Sequence, residues 1–202
     1  MKSHAVEHNV LTLTLPDSVE EEGSLQIGQV QQAHEESTIR IPLANSSNPS
    51  LAHTWHVALD SISLSGHANL HIPLESVYAR LDFEPNIGLP PRAANAIYEA
   101  LGAKQNDLYR GAMVDCIAME NLPDLVFSVG GSEVVLTREE YSFEQNAWGY
   151  KVCVIAIVPT EGEAVAVLGT NFLRKFHVVI DIDEGELGCE YLPILGGVGD
   201  LG

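Results

Sequence analysis

The feature that most constrains this chain is a period of two. "NVLTLTLP", "SLQIG" and "TIRIPL" alternate apolar and polar residues and stop at Gly, Pro, Asn, Asp or Ser. Successive side chains of an extended strand point to opposite faces, so such runs are half-buried strands. "TWHVALDSISLSG" puts Trp55, Val57 and Leu59 on one face until the phase shifts at Ser61, and His56 on the opposite face reads as a surface residue. "LVFSVGGSEVVL" reads as a hairpin, because Gly130-Gly131 can take the positive φ that a tight hairpin turn requires. "KVCVIAIV", "AVAVLG" and "FHVVIDID" are further strands, and "GELGCEYL" answers the last across a turn at Glu184-Gly185.

Helical periodicity is confined to two places. Pro91 to Leu101 opens on proline, carries Ala93, Ile97 and Leu101 on one stripe, and ends before Gly102, which is the expected start and stop chemistry. A short helical turn is expected near Asn171 to Lys175. The class is therefore mainly β, with one or two short helices.

Length and composition bound the rest. At 202 residues with 46% hydrophobic and 19% charged, the chain suits one ordered domain with a sizeable core. "DSVEEEG" (17–23), "NSSNPS" (45–50) and "GGVGDLG" (196–202) are polar or Gly-rich loops and a tail. The division expected is an arm over 1–10, a domain over 11–192 and a flexible tail over 193–202.

Ten Lys and Arg against 28 Asp and Glu give −18 without a basic run. Such a surface repels phosphate backbones and anionic lipid, so neither nucleic acid nor membrane is an expected partner. A neutral or cationic partner is. No apolar run is long enough to span a bilayer, and "MKSHAVEHNVLTLTLP" lacks the apolar core of a secretion signal. A complete chain would be cytoplasmic, and a processed one secreted or vacuolar. No C-x-x-C or helical H-x-x-x-H occurs, His67 and His71 flank an expected hairpin, and neither a metal nor another cofactor is expected.

One turn concentrates ionisable groups. Between the apolar run ending at Leu81 and the helix opening at Pro91 lies Asp82-Phe83-Glu84-Pro85-Asn86, with Arg80 and Tyr78 just upstream. A carboxyl group in partly apolar surroundings is suited to general acid–base work, and Arg80 could hold an anionic or carbonyl oxygen.

The order of "TWHVALDSISLSG", "DCIAMENLPDLVFSVGGSEVVL", "VCVIAIV" and "AVAVLGTNFLRKFHVVIDID" resembles the C-terminal lobe of a fungal pepsin-like aspartic protease over about 11–192. The resemblance rests on the family's W-x-V-x-L-D-S-I, L-P-D-L-V-F, V-L-G-x-x-F-L-R and V-V-I-D-I-D segments. It implies a single acid-protease lobe, a six-stranded, double-psi-like closed β barrel. Such proteases take one Asp from a D-T/S-G turn in each of two lobes. Two carboxylates about 3 Å apart cannot both ionise, so one serves as base and the other as acid.

This chain brings one lobe and no D-T-G or D-S-G. At the matching place Asp82 is kept, Phe83 replaces the hydroxyl residue, Glu84 replaces the glycine, and Pro85 and Asn86 follow. The crossing segment is retained as Val167-Leu168-Gly169, with Thr170 next, where the family often carries Asp. The resemblance also implies a disulfide between Cys116 and Cys153, leaving Cys189 free.

These residues point first to a lobe without ordinary peptidase activity, repurposed as a small-molecule isomerase, lyase or cyclase. Asp82, Glu84 and Arg80 would be its catalytic groups, and Tyr78, Phe83, Asn86, Val167, Thr170 and Trp148 its substrate contacts. Alternatives are a pseudoprotease binding a peptide or partner, and an endopeptidase rebuilt by a homodimer that brings two Asp82 side chains together.

Overall fold

The computed structural model describes residues 8–16, 22–28, 38–44, 55–66, 70–106, 111–147 and 149–192. Loop 45–50, the tail over 193–202, His67 and Trp148 lie outside the described residues, and so do the expectations attached to them.

The described strands form three sheets. A five-stranded sheet runs β2 (Ser24–Ile27), β1 (Val10–Thr14), β15 (Phe176–Asp181), β16 (Glu186–Tyr191), β3 (Thr38–Pro42). A seven-stranded sheet runs β10 (Ser132–Leu136), β9 (Leu125–Val129), β4 (His56–Leu64), β5 (His71–Leu81), β14 (Val165–Leu168), β6 (Ile87–Leu89), β13 (Ile157–Pro159). A four-stranded sheet runs β11 (Ser142–Ala147), β12 (Tyr150–Ile155), β8 (Gly111–Val114), β7 (Lys104–Asn106). The class is mainly β, as the sequence led one to expect, and the described residues are arranged in these three sheets. β1 begins at Val10, inside the expected N-terminal arm.

Local chemistry explains the turns. Gly130 and Gly131 adopt φ of 54° and 82° between Val129 and Ser132, which face each other across β9 and β10. The β15–β16 turn closes with Gly185 at φ 70°, and the Asp181 carboxylate accepts the Asp183 and Glu184 backbone N–H groups. The phase shift in β4 is a bulge: Leu59 faces Val77, but Ser61 faces Pro73. Asp60, at the bulge, accepts the Gly131 N–H at 3.0 Å and ties the hairpin to the sheet.

Helix α1 spans Pro91–Leu101 and ends at Gly102 in the left-handed conformation, as its sequence dictates. Three single turns accompany it: α2 (Cys116–Met119), α3 (Arg138–Tyr141) and α4 (Thr170–Leu173). The sequence expectation of one or two helices missed α2 and α3, because four residues carry no readable period. Capping holds them instead. Asp115 accepts the Ile117 N–H, and Thr137 with Glu140 forms a capping box.

The core is one cluster in which Phe127 packs edge-on against Phe172 of α4 and Phe172 against Phe176, both at 5.7 Å between ring centres. Cys116 and Cys153 are joined by a disulfide that ties α2 to β12, with Cα atoms 5.2 Å apart. Cys189 is free and buried, and burial pushes its thiol up to about 12. No helix among the described residues is long and apolar enough to cross a membrane.

Tyr98 on α1 donates to the Ile157 carbonyl at 2.6 Å, and burial pushes its phenol up to about 12. Its folded state holds the neutral phenol, so this contribution to stability is whole below the ordinary tyrosine range near pH 10 and is lost as pH rises through about 12. Tyr141 and Cys189 shift the same way by burial. The melting temperature is therefore expected to fall steeply over that alkaline window. Tyr98→Phe should cost about 1 kcal/mol at neutral pH through the lost hydrogen bond and flatten the fall. Calorimetry of both proteins across the window checks it; parallel curves would refute the assignment.

Candidate functional site

The turn at Asp82 is held by a crossing of strands. β5 leads into it and β6 leaves it, while β14 runs between them, parallel to β5 and antiparallel to β6 where Val167 meets Gly88. Asp82 N–H donates to the Leu168 carbonyl at 3.2 Å, so the end of β14 fixes the first residue of the turn. Its last residues are held from below. The first amides of α4, at Thr170 and Asn171, donate to the Glu84 and Pro85 carbonyls at 2.7 and 3.2 Å. N–H groups at a helix start have no intrahelical acceptor, and here the turn supplies one.

Gly169 makes that approach feasible. A Cβ placed on it would lie 2.1 Å from the Asn86 carbonyl oxygen and 2.3 Å from that of Glu84. The requirement is steric, since Gly169 itself has an ordinary extended backbone. The Val167-Leu168-Gly169 segment is thus the floor on which the Asp82 turn rests.

Alternation along β5 decides which side chains share a face. Val77, Ala79 and Leu81 point into the core, while Tyr78, Arg80 and Asp82 point outward. Arg80 Nη2 lies 2.6 Å from Asp82 Oδ2, an ion pair with both partners partly open to solvent. Arg80 Nε is buried and lacks a hydrogen-bond partner. Val165 lies beside Tyr78 and Val167 beside Arg80 across the parallel β5–β14 pairing. Tyr78, Val165 and Phe83 are exposed at 38%, 42% and 58%, so the pair is bordered by apolar surface.

The structure therefore divides the residues that the sequence gathered into one site. Asp82, Arg80, Tyr78 and Phe83 belong to this outer face. Glu84 and Asn86 open onto a separate groove of about 410 Å³, shared with Pro85, Gln105, Asn106, Gly111, Val158 and Pro159, and neither Asp82 nor Arg80 lines it. Thr170 opens α4, and its backbone N–H donates to the Glu84 carbonyl. The groove contribution of β7 left no sequence signal, because a three-residue strand has no measurable period, whereas Val158 of β13 lies in the run "KVCVIAIV" read as a strand. His56 corrects the surface reading: it is buried at 5%, opposite Arg80. Leu43 bridges Val57 and Ala44 N–H donates to the His56 carbonyl, so the chain leaving β3 runs alongside it. Among the described residues no group of three His, Cys, Asp or Glu side chains is placed to hold a metal ion.

Residues 1–190 match the family model described as eukaryotic aspartyl protease. The chain belongs to that family. Among its relatives, this aspartyl protease family member is 27% identical over 193 residues to aspartic proteinase yapsin-3 of Saccharomyces cerevisiae, covering 92% of this chain and 37% of the relative. It is 29% identical over 140 residues to human gastricsin, covering 66% of this chain and 34% of that one. The crystal structure of an aspartic proteinase from Irpex lacteus superposes with a TM-score of 0.74 at 19% identity, covering 98% of this chain and 60% of that one. The overlay shows a shared fold. The chain spans little more than a third of the length of these sequence relatives.

Proposed function

We propose that this chain is a C-terminal-type aspartic protease lobe that has given up peptide hydrolysis and uses its former catalytic face to bind a protein partner. The observation that carries the reading is the Arg80–Asp82 ion pair at 2.6 Å. An aspartic protease needs two carboxylates sharing one proton, one ionised and one not. Here Asp82 is instead paired with a guanidinium, which occupies the side of the carboxylate where a second carboxyl group would have to stand to share a proton. Phe83 and Glu84 further replace the hydroxyl and glycine of the family's turn. The apolar border of Tyr78, Val165 and Phe83 suits a macromolecular surface better than an enclosed substrate.

The folded chain is expected to leave casein intact between pH 3 and 5, and Asp82→Asn to behave identically. Removing the ion pair should change stability by about 1 kcal/mol or less, since both side chains are partly open to water. Cleavage by the wild type that disappears in Asp82→Asn would overturn the proposal.

The groove beside Glu84 and Asn86 favours a second reading, a small-molecule acid–base enzyme acting through Glu84 rather than Asp82. Loss of a measured turnover in Glu84→Gln, with Asp82→Asn unaffected, would distinguish it.

A further inference from the structure

We propose that the partner of this face is a second copy of the chain, with Arg80 of each copy bonding Asp82 of the other. This rests on the reading of the Arg80–Asp82 pair given above and names what the face binds. A two-fold interface must be complementary to itself: the patch that meets the partner is also the patch the partner presents. Few surface features satisfy that. A cation and an anion side by side do, because a two-fold rotation sets each over its opposite.

Arg80, on the outward face of β5, and Asp82, the first residue after that strand ends, lie 2.6 Å apart. Around them lie apolar groups that gain by leaving water: Tyr78 and Val165, paired across β5 and β14, and Phe83 at the tip of the turn. Glu84, the nearest further carboxylate in the chain, opens onto the groove lined by Gln105 and Val158. The chain carries −18, so most of its surface repels a copy. The ion pair itself carries no net charge, which makes it a favoured place for two such chains to touch.

The second copy also completes the site. The four side chains form a network in which each Asp82 carboxylate is flanked by its own and the partner subunit's Arg80. Bringing the two turns together in this way yields a closed interface in which a guanidinium, not a second carboxyl group, stands against each aspartate. A dimer through this face is therefore not a rebuilt peptidase.

Sedimentation equilibrium of the full chain over the micromolar range, paired with circular dichroism of every variant, tests it. The wild type should weigh two chains. Arg80→Asp and Asp82→Arg should each set like charges together and weaken association on the order of 100-fold. The double variant carrying both reverses the pair and should restore the dimer, which a general disturbance of the turn would not do. Phe83→Ser, at an exposed site outside the ion pair, should weaken association while leaving the circular dichroism spectrum unchanged. A wild type that stays monomeric, or a dimer indifferent to both single reversals, overturns the proposal. So does a folded double variant that remains monomeric. Casein cleavage by a dimer that responds to these reversals would instead sink the proposed function and leave the dimer standing.

Discussion

Gly169→Ala is expected to destabilise the fold by about 4 kcal/mol, among the largest effects a single methyl group can have. The added Cβ would stand 2.1 and 2.3 Å from the carbonyl oxygens of Asn86 and Glu84. Both are main-chain atoms of the turn, so no side-chain rotation relieves the contact. The turn must lift or the start of α4 must drop. Either movement breaks the hydrogen bonds from Thr170 and Asn171 to the Glu84 and Pro85 carbonyls. It also pulls on Phe172, which joins α4 to the core against Phe127. Denaturant unfolding of the variant against the wild type measures the loss. Because the strain enters through the turn, hydrogen exchange should show lost protection at Asp82 N–H and across α4 before the five-stranded sheet opens. A loss below about 1 kcal/mol would mean that the turn is not clamped on β14 as described.

Opening the Cys116–Cys153 bond is expected to cost about 4 kcal/mol, the loop entropy released when a cross-link spanning 37 residues is removed. For a chain of this size that corresponds to a fall of roughly 10 °C in melting temperature. The loss should have a local face as well. α2 fully buries none of its side chains, and Ile117 is exposed at 80%, so besides the disulfide and the Asp115 cap only the partly buried Met119 holds that turn against the core. The segment after α2 has other ties: Arg138 bonds the Glu120 carbonyl, and Tyr141 donates to the Pro123 carbonyl at 2.5 Å. Exchange protection in the Cys116→Ser/Cys153→Ser variant should thus fall first over α2 and be retained at β9. Melting curves of the variant and of the wild type with and without a thiol reductant check both parts. A variant as stable as the wild type would show that the closed loop is already constrained without its bond.

Where local chemistry was sufficient, the sequence was legible. Gly130-Gly131, Pro91 with Gly102, and the broken alternation at Ser61 each mark a backbone event decided within a few residues, and each lies where the sequence places it. The mainly β class follows from the same alternation. Helices α2 and α3 were not legible, since a single turn is held by caps rather than by a stripe. Strand order was not legible either, since it is a property of long-range pairing that alternation does not encode.

The candidate site divides in the same way. The sequence determined that Asp82, Glu84 and Arg80 would crowd one turn, and the period of two in β5 put Arg80 and Asp82 on one face. Only the tertiary structure decided that Asp82 meets Arg80 while Glu84 turns away to a groove shared with β7 and β13. It also decided that His56 lies covered beside the chain leaving β3. The physical reason is range. Backbone preferences and side-chain alternation act over a few bonds and are written in neighbouring residues. The crossing of β14 through the turn joins residues more than eighty positions apart, and is fixed only when their hydrogen bonds and apolar surfaces are satisfied together.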